Sequence, residues 1–323
     1  MALPSYASPL ERVWHYTYLA ICTAVFIFLI APILIVIPLS FNIEPYFSFT
    51  EKMLSFDPSG YSLRWYDTLL TLGVNAPEGP RDAAWWSVVW NDATWIRAAK
   101  NSLWVGLWAT VLATVLGTVA ALGLSRPEMP YRRVIMAILI SPMIVPIIII
   151  AVGMFFFYSS TCVSPDNFVG QALAPFLSKK GCLNNSNLGI IMAHATLGIP
   201  FVIITVTATL SGFDQSLIRA GASLGATPAR VFFKVVMPLI LPGVISGALF
   251  AFVTSFDEVV AVLFIAGPEQ QTIPRQMWNG IREAISPAIL AVATILVIIS
   301  IGLLATVELL RRRSEKLRGV SPY

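Results

Sequence analysis

The chain has 323 residues, of which 57% are hydrophobic and only 12% are charged, and its mean hydropathy is +0.77. A soluble protein carries roughly 25% charged residues, so most of this surface is expected to face lipid. The net charge of +4 does not indicate a nucleic-acid partner. The cations cluster beside apolar segments and form no basic stripe with interleaved aromatic residues.

Several apolar segments are long enough to cross a bilayer. A spanning helix needs about 20 apolar residues, because each residue rises about 1.5 Å through a hydrocarbon core about 30 Å thick. The first segment is too long for a signal peptide and lacks a small-residue cleavage site, so we expect a retained anchor. The sequence predicts an all-α integral membrane protein with six transmembrane helices, at 17–41, 101–124, 134–158, 188–211, 236–264 and 286–310.

The positive charges predict the orientation of the chain. The tail LLRRRSEKLR follows the last span, and further Arg and Lys residues lie between spans two and three and between spans four and five. Because such residues accumulate on the cytoplasmic side, both termini are predicted to be cytoplasmic. Residues 42–97, rich in Trp and Tyr, then form an external insertion, built either from interfacial helices or as a small packed cap.

The three cysteines predict no metal site, because no pair has CxxC spacing. Cys162 and Cys182 share one external connection, where an oxidising compartment such as that outside a bacterial inner membrane favours a disulfide. The alternative is two free thiols in a mobile loop. Cys22 lies within an apolar run and is interpreted as inert packing.

No residue pattern for catalysis or ATP hydrolysis is present in the sequence. A phosphate-binding P-loop requires Gly-Lys followed by Ser or Thr, and no lysine here follows a glycine. With only two histidines, His15 and His194, the sequence gives little support for a His-based triad or a metal cluster. We therefore predict a chain without its own catalytic residues or cofactors, driven by another subunit or by an ion gradient.

The polar stretch IRAGASLGATPARVFFKVVMPLILPG, residues 218–243, separates the fourth and fifth spans. It predicts a short helix over 215–223, a turn from Gly225 to Pro228, and a second helix leading into span five. Gly225 permits a positive φ, and Pro228 suits the first turn of a helix. On these grounds alone, an ordinary cytoplasmic helical hairpin is an equally good interpretation.

This stretch resembles the EAA motif of binding-protein-dependent ABC importer permeases of type I, which reads Glu-Ala-Ala, three residues, Gly and, further on, Leu-Pro. Arg219, Ala220 and Gly221 occupy the first three positions, Gly225 the glycine, and Met237–Pro238 the Leu-Pro pair. Arg219, Gly221 and Met237 depart from the pattern. Similarity begins with KNSLWVGLWATVLATVLGTVAALGLSR and covers 98–310 but not the insertion.

The resemblance implies an inner-membrane permease subunit whose cytoplasmic loop forms a coupling helix between helices four and five. In that family the helix docks into a groove on a cytoplasmic ATPase dimer, which binds the ATP and Mg²⁺. The further partners are an external solute-binding protein and a second permease subunit, which is a different chain in this subgroup; a homodimer of this chain is the alternative. The coupling residues implied here are Arg219, Ala220, Gly221, Gly225, Ala226, Pro228 and Pro238.

The implied domain order follows from these boundaries. A tail and first helix occupy 1–41, the external insertion 42–97, the permease core 98–310, and a basic cytoplasmic tail 311–323.

Two adjacent acids, Asp257 and Glu258, lie in the outer half of span five. An ionisable side chain in a span costs about 2.5–3.5 kcal/mol on insertion scales, so it is expected to face a cavity or a partner. A carboxylate on a translocation path would attract an ammonium group. The alternative is that these acids pair with cations such as Arg282 or hold an external gate.

The stretch SFDEVVAVLFIAGPEQQTIPRQMWNGIREAISPAILAVATIL resembles the spermidine and putrescine permease subgroup. That resemblance implies a flexible cationic solute, held by carboxylates and by aromatic faces, with Phe256 and Trp278 as candidates. Opines, aminophosphonates and other small organic solutes are alternatives. His194 is a further path candidate, although a helix–helix hydrogen bond is the commoner role for such a residue.

Two other classes of protein are less consistent with the sequence. An ion-coupled secondary transporter would account for the acids, but no paired inverted repeats are visible. An intramembrane enzyme would need a nucleophile and base, or a metal constellation, which the spans lack.

Overall fold

The computed structural model describes residues 8–75, 78–126, 128–163, 171, 176–178, 181–214, 216–283 and 286–317, with 303, 304 and 306–317 as backbone only. The described part of the chain is helical apart from turns and two isolated β-bridges. Its helices are α1 (Pro9–Leu39), α2 (Glu51–Leu54), α3 (Arg64–Thr71), α4 (Ala83–Asp92), α5 (Thr94–Leu124), α6 (Arg132–Ile144), α7 (Ile147–Ser160), α8 (Asn187–Ser211), α9 (Ser216–Ser223), α10 (Pro228–Val231), α11 (Met237–Phe256), α12 (Val260–Ile265), α13 (Ile273–Glu283) and α14 (Ala288–Leu317).

The chain folds as two compact units. The first combines residues 1–89 with 280–323 and contains α1, most of the insertion and α14. The second, residues 90–279, contains α5 to α12 and most of α13. The family-like coupling stretch and the two adjacent acids therefore lie in the same unit.

Four helical segments are long and apolar enough to cross a membrane: Pro9–Leu39, Thr94–Leu124, Asn187–Ser211 and Pro228–Phe256. They coincide with the first, second, fourth and fifth predicted spans. A shorter apolar stretch, Ala288–Gly302, lies where the sixth was predicted. The architecture is therefore that of an α-helical membrane protein.

The third predicted span, 134–158, is not one straight helix. It consists of α6 and α7, which are bent by 101° at the intervening break. Pro146 causes the interruption, because it has no N–H to donate and restricts the residue before it to an extended backbone. Val145 accordingly has φ −70° and ψ 138°.

The fifth predicted span, 236–264, is also interrupted. Its helix ends at Phe256, and α12 begins only at Val260. Asp257 and Glu258 therefore lie at a break between two helices. The sequence had predicted a continuous helix here. At its other end, α11 is preceded by a π-helical turn, Phe232–Val236, which follows α10 directly.

The core of the second unit is the packing of α5, α8 and α11 against one another. Small residues allow these helices to approach closely, as in other membrane proteins. A Cβ atom added at Gly117 of α5 would lie 2.7 Å from the Cβ of Val202 in α8. A Cβ atom at Gly247 of α11 would lie 2.8 Å from the Cα of the same valine. The backbones of α5 and α11 thus both contact α8 around Val202.

The insertion forms a packed cap on the end of α1, which favours one of its two interpretations. Its own core is apolar and includes Met53, Trp65, Leu69 and Trp85. Asn42, just beyond α1, is fully buried and bonded on every side: its Nδ2 donates to the carbonyls of Tyr46 and Ser48, and its Oδ1 accepts from the Glu44 N–H. Its carbonyl accepts from Trp65 Nε1 at 2.7 Å.

Candidate functional site

The two adjacent acids have different surroundings. Asp257 follows the last residue of α11 and its side chain is exposed, whereas Glu258 is only 8% exposed. Within the described part of their unit, neither carboxylate forms an ion pair. Only Asp257 therefore presents a negative charge to solvent at the break.

Glu258 has a structural partner. Its Oε1 accepts a hydrogen bond of 2.9 Å from the N–H of Ala261, in the first turn of α12. The first N–H groups of a helix have no partner within the helix, so a carboxylate acceptor there both satisfies a donor and favours the helix dipole. The same bond explains why a new helix begins at Val260 after the break.

Aromatic rings lie immediately before the break. Phe256 is half-buried and stacks on Phe252, with ring centroids 5.6 Å apart and ring planes inclined by 24°. Trp278, the other aromatic candidate, lies on a separate helix, α13, and is 44% exposed. The exposed carboxylate of Asp257 follows the Phe252–Phe256 ring pair in the chain, and carboxylates and aromatic faces are the groups that bind organic ammonium ions.

His194 contacts the same end of α11. It is 1% exposed, and its Nδ1 lies 2.8 Å from the hydroxyl oxygen of Ser255, two residues before Asp257. Its Nε2 is buried and has no partner among the described residues. The histidine therefore links α8 to α11, which is the helix–helix role weighed against a ligand role above. Sequence reasoning missed Ser255, although a serine within an apolar helix was a visible signal.

Sequence reasoning also missed Arg275, which holds the end of α12. Its Nη1 donates to the carbonyl oxygens of Val262, Ala266 and Gly267, at 3.3, 2.7 and 3.2 Å respectively. The last carbonyls of a helix lack partners within the helix and carry partial negative charge, so a guanidinium group suits them. Sequence pattern could not find this contact, because the acceptors are main-chain atoms.

The segment after α12 is tied to α5. Asn101 Nδ2 donates to the carbonyls of Glu269 and Gln271, and the Ser102 hydroxyl accepts from the Ile273 N–H at 2.8 Å. With Arg275, these bonds fix both sides of the 266–272 connection. The helix that follows Asp257 and Glu258, α12, therefore has its C-terminal end held by Arg275 and the connection after it held by Asn101 and Ser102.

A disulfide joins Cys162, just after α7, to Cys182, which precedes α8. Main-chain bonds flank it, from Val163 N–H to the Gly181 carbonyl and from Leu183 N–H to the Thr161 carbonyl. A few residues on, the Asn185 N–H donates to the carbonyl of Ile265, the last residue of α12. This connection therefore also contacts the α12 end. Cys22 is a half-buried free thiol.

The coupling-like stretch forms a helix, a turn and a second helix. α9 ends at Ser223, Gly225 has φ +76°, and Pro228 is the first residue of α10. The Thr227 hydroxyl accepts from the Arg230 N–H, which caps α10. Leu224, between the two helices, is 88% exposed. A bulky apolar side chain is thus displayed at the turn.

A close contact explains Gly221, one of the residues that depart from the EAA pattern. A Cβ atom at Gly221 would lie 2.9 Å from a methyl group of Val231, so a glycine lets α9 lie against α10. Asp214 accepts hydrogen bonds from the hydroxyl and the N–H of Ser216. These bonds, with a smaller attraction to Arg219, hold the pKa of the Asp214 carboxyl below its ordinary value. Arg219 therefore has an acidic neighbour, Asp214, within this stretch. Of the other coupling residues, Ala220 is exposed and Ala226 is half-buried.

No three His, Cys, Asp or Glu side chains in the described ranges lie close enough to hold a metal ion.

The chain matches one protein family and several characterised relatives. The family is described as the binding-protein-dependent transport system inner membrane component, and it matches residues 113–316. The spermidine/putrescine transport system permease protein PotC of Haemophilus influenzae is 27% identical over 291 residues, which are 90% of this chain and 95% of the relative. The putrescine transport system permease protein PotI of Escherichia coli is 30% identical over 175 residues, 52% of this chain and 62% of the relative.

A solved structure shares the fold. It is a bacterial alginate ABC transporter in complex with an alginate pentasaccharide-bound periplasmic protein, with a TM-score of 0.58, 15% identity, and coverage of 97% of each chain. The resemblance to ABC importer permeases, and to the polyamine permeases among them, is confirmed by these matches. The chain belongs to the family of binding-protein-dependent transport system inner membrane components and is a permease subunit of an ABC importer.

Proposed function

We propose that this permease forms half of a translocation path for a polyamine. The exposed carboxylate of Asp257, which directly follows Phe256 of the stacked Phe252–Phe256 pair in the chain, is the observation on which this proposal depends. Polyamines are flexible chains of ammonium and methylene groups, which a carboxylate and aromatic faces bind by charge and by cation–π contact. The names of the two permease relatives support the same solute class.

The proposed roles within the path are unequal. Asp257 pairs with an ammonium group, and Phe256, with Trp278 as a second aromatic, contacts the methylene chain. Glu258 caps α12, and His194 positions the end of α11 through Ser255. On this proposal only one formal negative charge of the pair is offered to the solute.

The proposed topology has six spans, of which α6 and α7 together form the bent third and α14 the sixth. Both termini are then cytoplasmic, the 42–97 insertion is external, residues 98–310 are the permease core, and 311–323 are a basic cytoplasmic tail. The apolar lengths of the helices and the distribution of Lys and Arg support this arrangement.

We propose that the 214–238 stretch is the site of coupling to a cytoplasmic ATPase dimer, which carries the ATP and Mg²⁺. Support comes from α9, from the exposed Leu224 that follows it, and from the left-handed turn at Gly225. The further partners are a second permease subunit and an external solute-binding protein. A periplasmic protein accompanies the alginate transporter that shares this fold.

Reconstitution tests the proposal directly. The chain is purified with its associated subunits, placed in proteoliposomes, and supplied with the cognate binding protein and radiolabelled putrescine or spermidine. We expect uptake only when ATP is present on the ATPase side. Polyamine uptake driven by a proton or sodium gradient without ATP would overturn the coupling. ATP-driven uptake of an opine or aminophosphonate, with no polyamine uptake, would overturn the solute assignment.

A further inference from the structure

Residues 50–61 form a small knob that displays apolar side chains. The knob consists of α2, a tight turn and a 3₁₀ turn at Pro58–Gly60. Within the knob, the side chain of Met53 is buried, whereas Leu54 is 67% exposed and Phe56 is 83% exposed. These two neighbouring side chains therefore contribute little to the core of the insertion.

The backbone of the knob is held in an unusual conformation at Phe56. This residue has φ +55°, a left-handed value that is rare for a bulky side chain. Two main-chain bonds enclose it, from the Phe56 N–H to the Met53 carbonyl and from the Asp57 N–H to the Lys52 carbonyl. Strained residues of this kind persist where the surrounding structure holds them, and they cluster at functional sites.

The knob is tied to the chain just beyond α1. The Ile43 N–H donates to the Gly60 carbonyl, and the Ser62 N–H donates to the Phe41 carbonyl at 2.7 Å. The last residue of α1 is Leu39, only a few positions earlier. The knob therefore lies at the level where a spanning α1 leaves the hydrocarbon core.

The surface of α1 that leads to the knob is apolar. The most apolar stretch of α1 has no buried residue, as expected for a helix that faces lipid along its length. At the membrane–water boundary aromatic rings are favoured, and apolar side chains can enter the acyl region while charged neighbours remain among the headgroups. Lys52 and Asp57, which are exposed on the same knob, suit that boundary.

We propose that the knob is a lipid anchor, in which Leu54 and Phe56 enter the headgroup–acyl boundary of the leaflet at the C-terminal end of α1. The main-chain bonds from the knob to Phe41 and Ile43, just beyond a helix whose apolar stretch has no buried residue, favour phospholipid as the occupant. In this role the knob sets the depth of the cap on the membrane. The inference is independent of the solute and of the side on which the insertion lies.

Nitroxide labels measure this depth directly. The full chain, with Cys22 replaced by Ala, receives one cysteine by Phe56→Cys and is placed in nanodiscs of phosphatidylcholine and phosphatidylglycerol. Phe28→Cys, at an exposed position of α1, is the lipid control, and Glu78→Cys, at an exposed turn of the insertion, is the aqueous control. Collision of each label with oxygen, which concentrates in lipid, is compared with its collision with a water-soluble nickel chelate.

The oxygen-to-nickel ratio at position 56 is expected to be severalfold higher than at position 78 and to lie below that at position 28, which is near the middle of the predicted first span. A ratio equal to that at position 78 would show a water-exposed knob and overturn the proposal. A label shielded from both reagents would overturn it as well, because protein would then cover the knob. Leu54→Cys, in the same background, repeats the measurement without changing the left-handed residue.

Discussion

His194 Nδ1 and Ser255 Oγ lie 2.8 Å apart, in a buried hydrogen bond that joins α8 to the last turn of α11. The bond connects residues 61 positions apart and lies two residues before the exposed carboxylate of Asp257. It therefore sets where the end of α11 lies relative to α8.

A double-mutant cycle measures this bond. His194→Leu and Ser255→Ala should each destabilise the chain, and the double variant should lose less than their sum. Buried hydrogen bonds between membrane helices are worth about 0.6–1.7 kcal/mol, so we expect a coupling energy of that size from unfolding in detergent. Strictly additive losses would show that the bond has no energetic role.

Asp257→Asn and Glu258→Gln should separate the two acids. Asp257→Asn removes the exposed charge and should lower polyamine uptake by about tenfold or more, since the loss of a close charge pair near a surface exceeds 1.4 kcal/mol. Glu258→Gln keeps an oxygen that can accept from Ala261 N–H and should retain most uptake. Both are assayed as initial uptake rates in proteoliposomes. Equal uptake by wild type and Asp257→Asn would refute the role of this carboxylate.

Gly225→Ala should impair the turn between α9 and α10. The added Cβ meets no atom within 4 Å, so the cost is conformational and amounts to about 1–2 kcal/mol for a left-handed residue. We expect reduced uptake with ATP hydrolysis that no longer responds to the binding protein. Gly212→Ala is the matched control, because Gly212 has φ −93° and open surroundings. A similar loss in both variants would contradict a specific role for the left-handed turn.

Arg275→Gln should loosen α12 and the connection after it. The variant loses a charged donor shared by three carbonyls, and hydrogen bonds from charged groups contribute about 1.5–3 kcal/mol. Faster hydrogen–deuterium exchange over residues 260–273 is the expected result. Arg282→Gln, at an exposed position of α13, should leave exchange there unchanged. Unaltered exchange in Arg275→Gln would show that the guanidinium group does not hold this segment.

Alkylation under denaturing conditions tests the disulfide. Without reductant, mass spectrometry should find one alkylated thiol, that of Cys22; after reduction it should find two more, from Cys162 and Cys182. Three alkylated thiols before reduction would contradict the pairing.

Hydropathy predicts the positions of the long helices because each requires an unbroken apolar run, which is visible in the sequence. The break at Asp257 was not predicted, since apolar residues resume after the two acids and continue to Ile265, and the Glu258–Ala261 bond at the start of the new helix depends on the folded backbone. Pro146 lies inside the third predicted span, but the 101° bend there was not predicted from the sequence. The turn at Gly225 could be predicted because glycine permits a positive φ. The hydrogen bonds of Ser255 and Arg275 could not, because their partners lie on other segments of the sequence and meet only in the folded chain.

The π-helical turn at Phe232–Val236 bears on how this chain is compared with other permeases. Such a turn accommodates one residue more than an α-helical turn does, and each residue of an α-helix advances about 100° around the axis. A homologue without the extra residue therefore needs a one-position gap in its alignment here. Omitting that gap would match Asp257 to a side chain about a quarter-turn away, and a carboxylate shared by both proteins would look like a substitution.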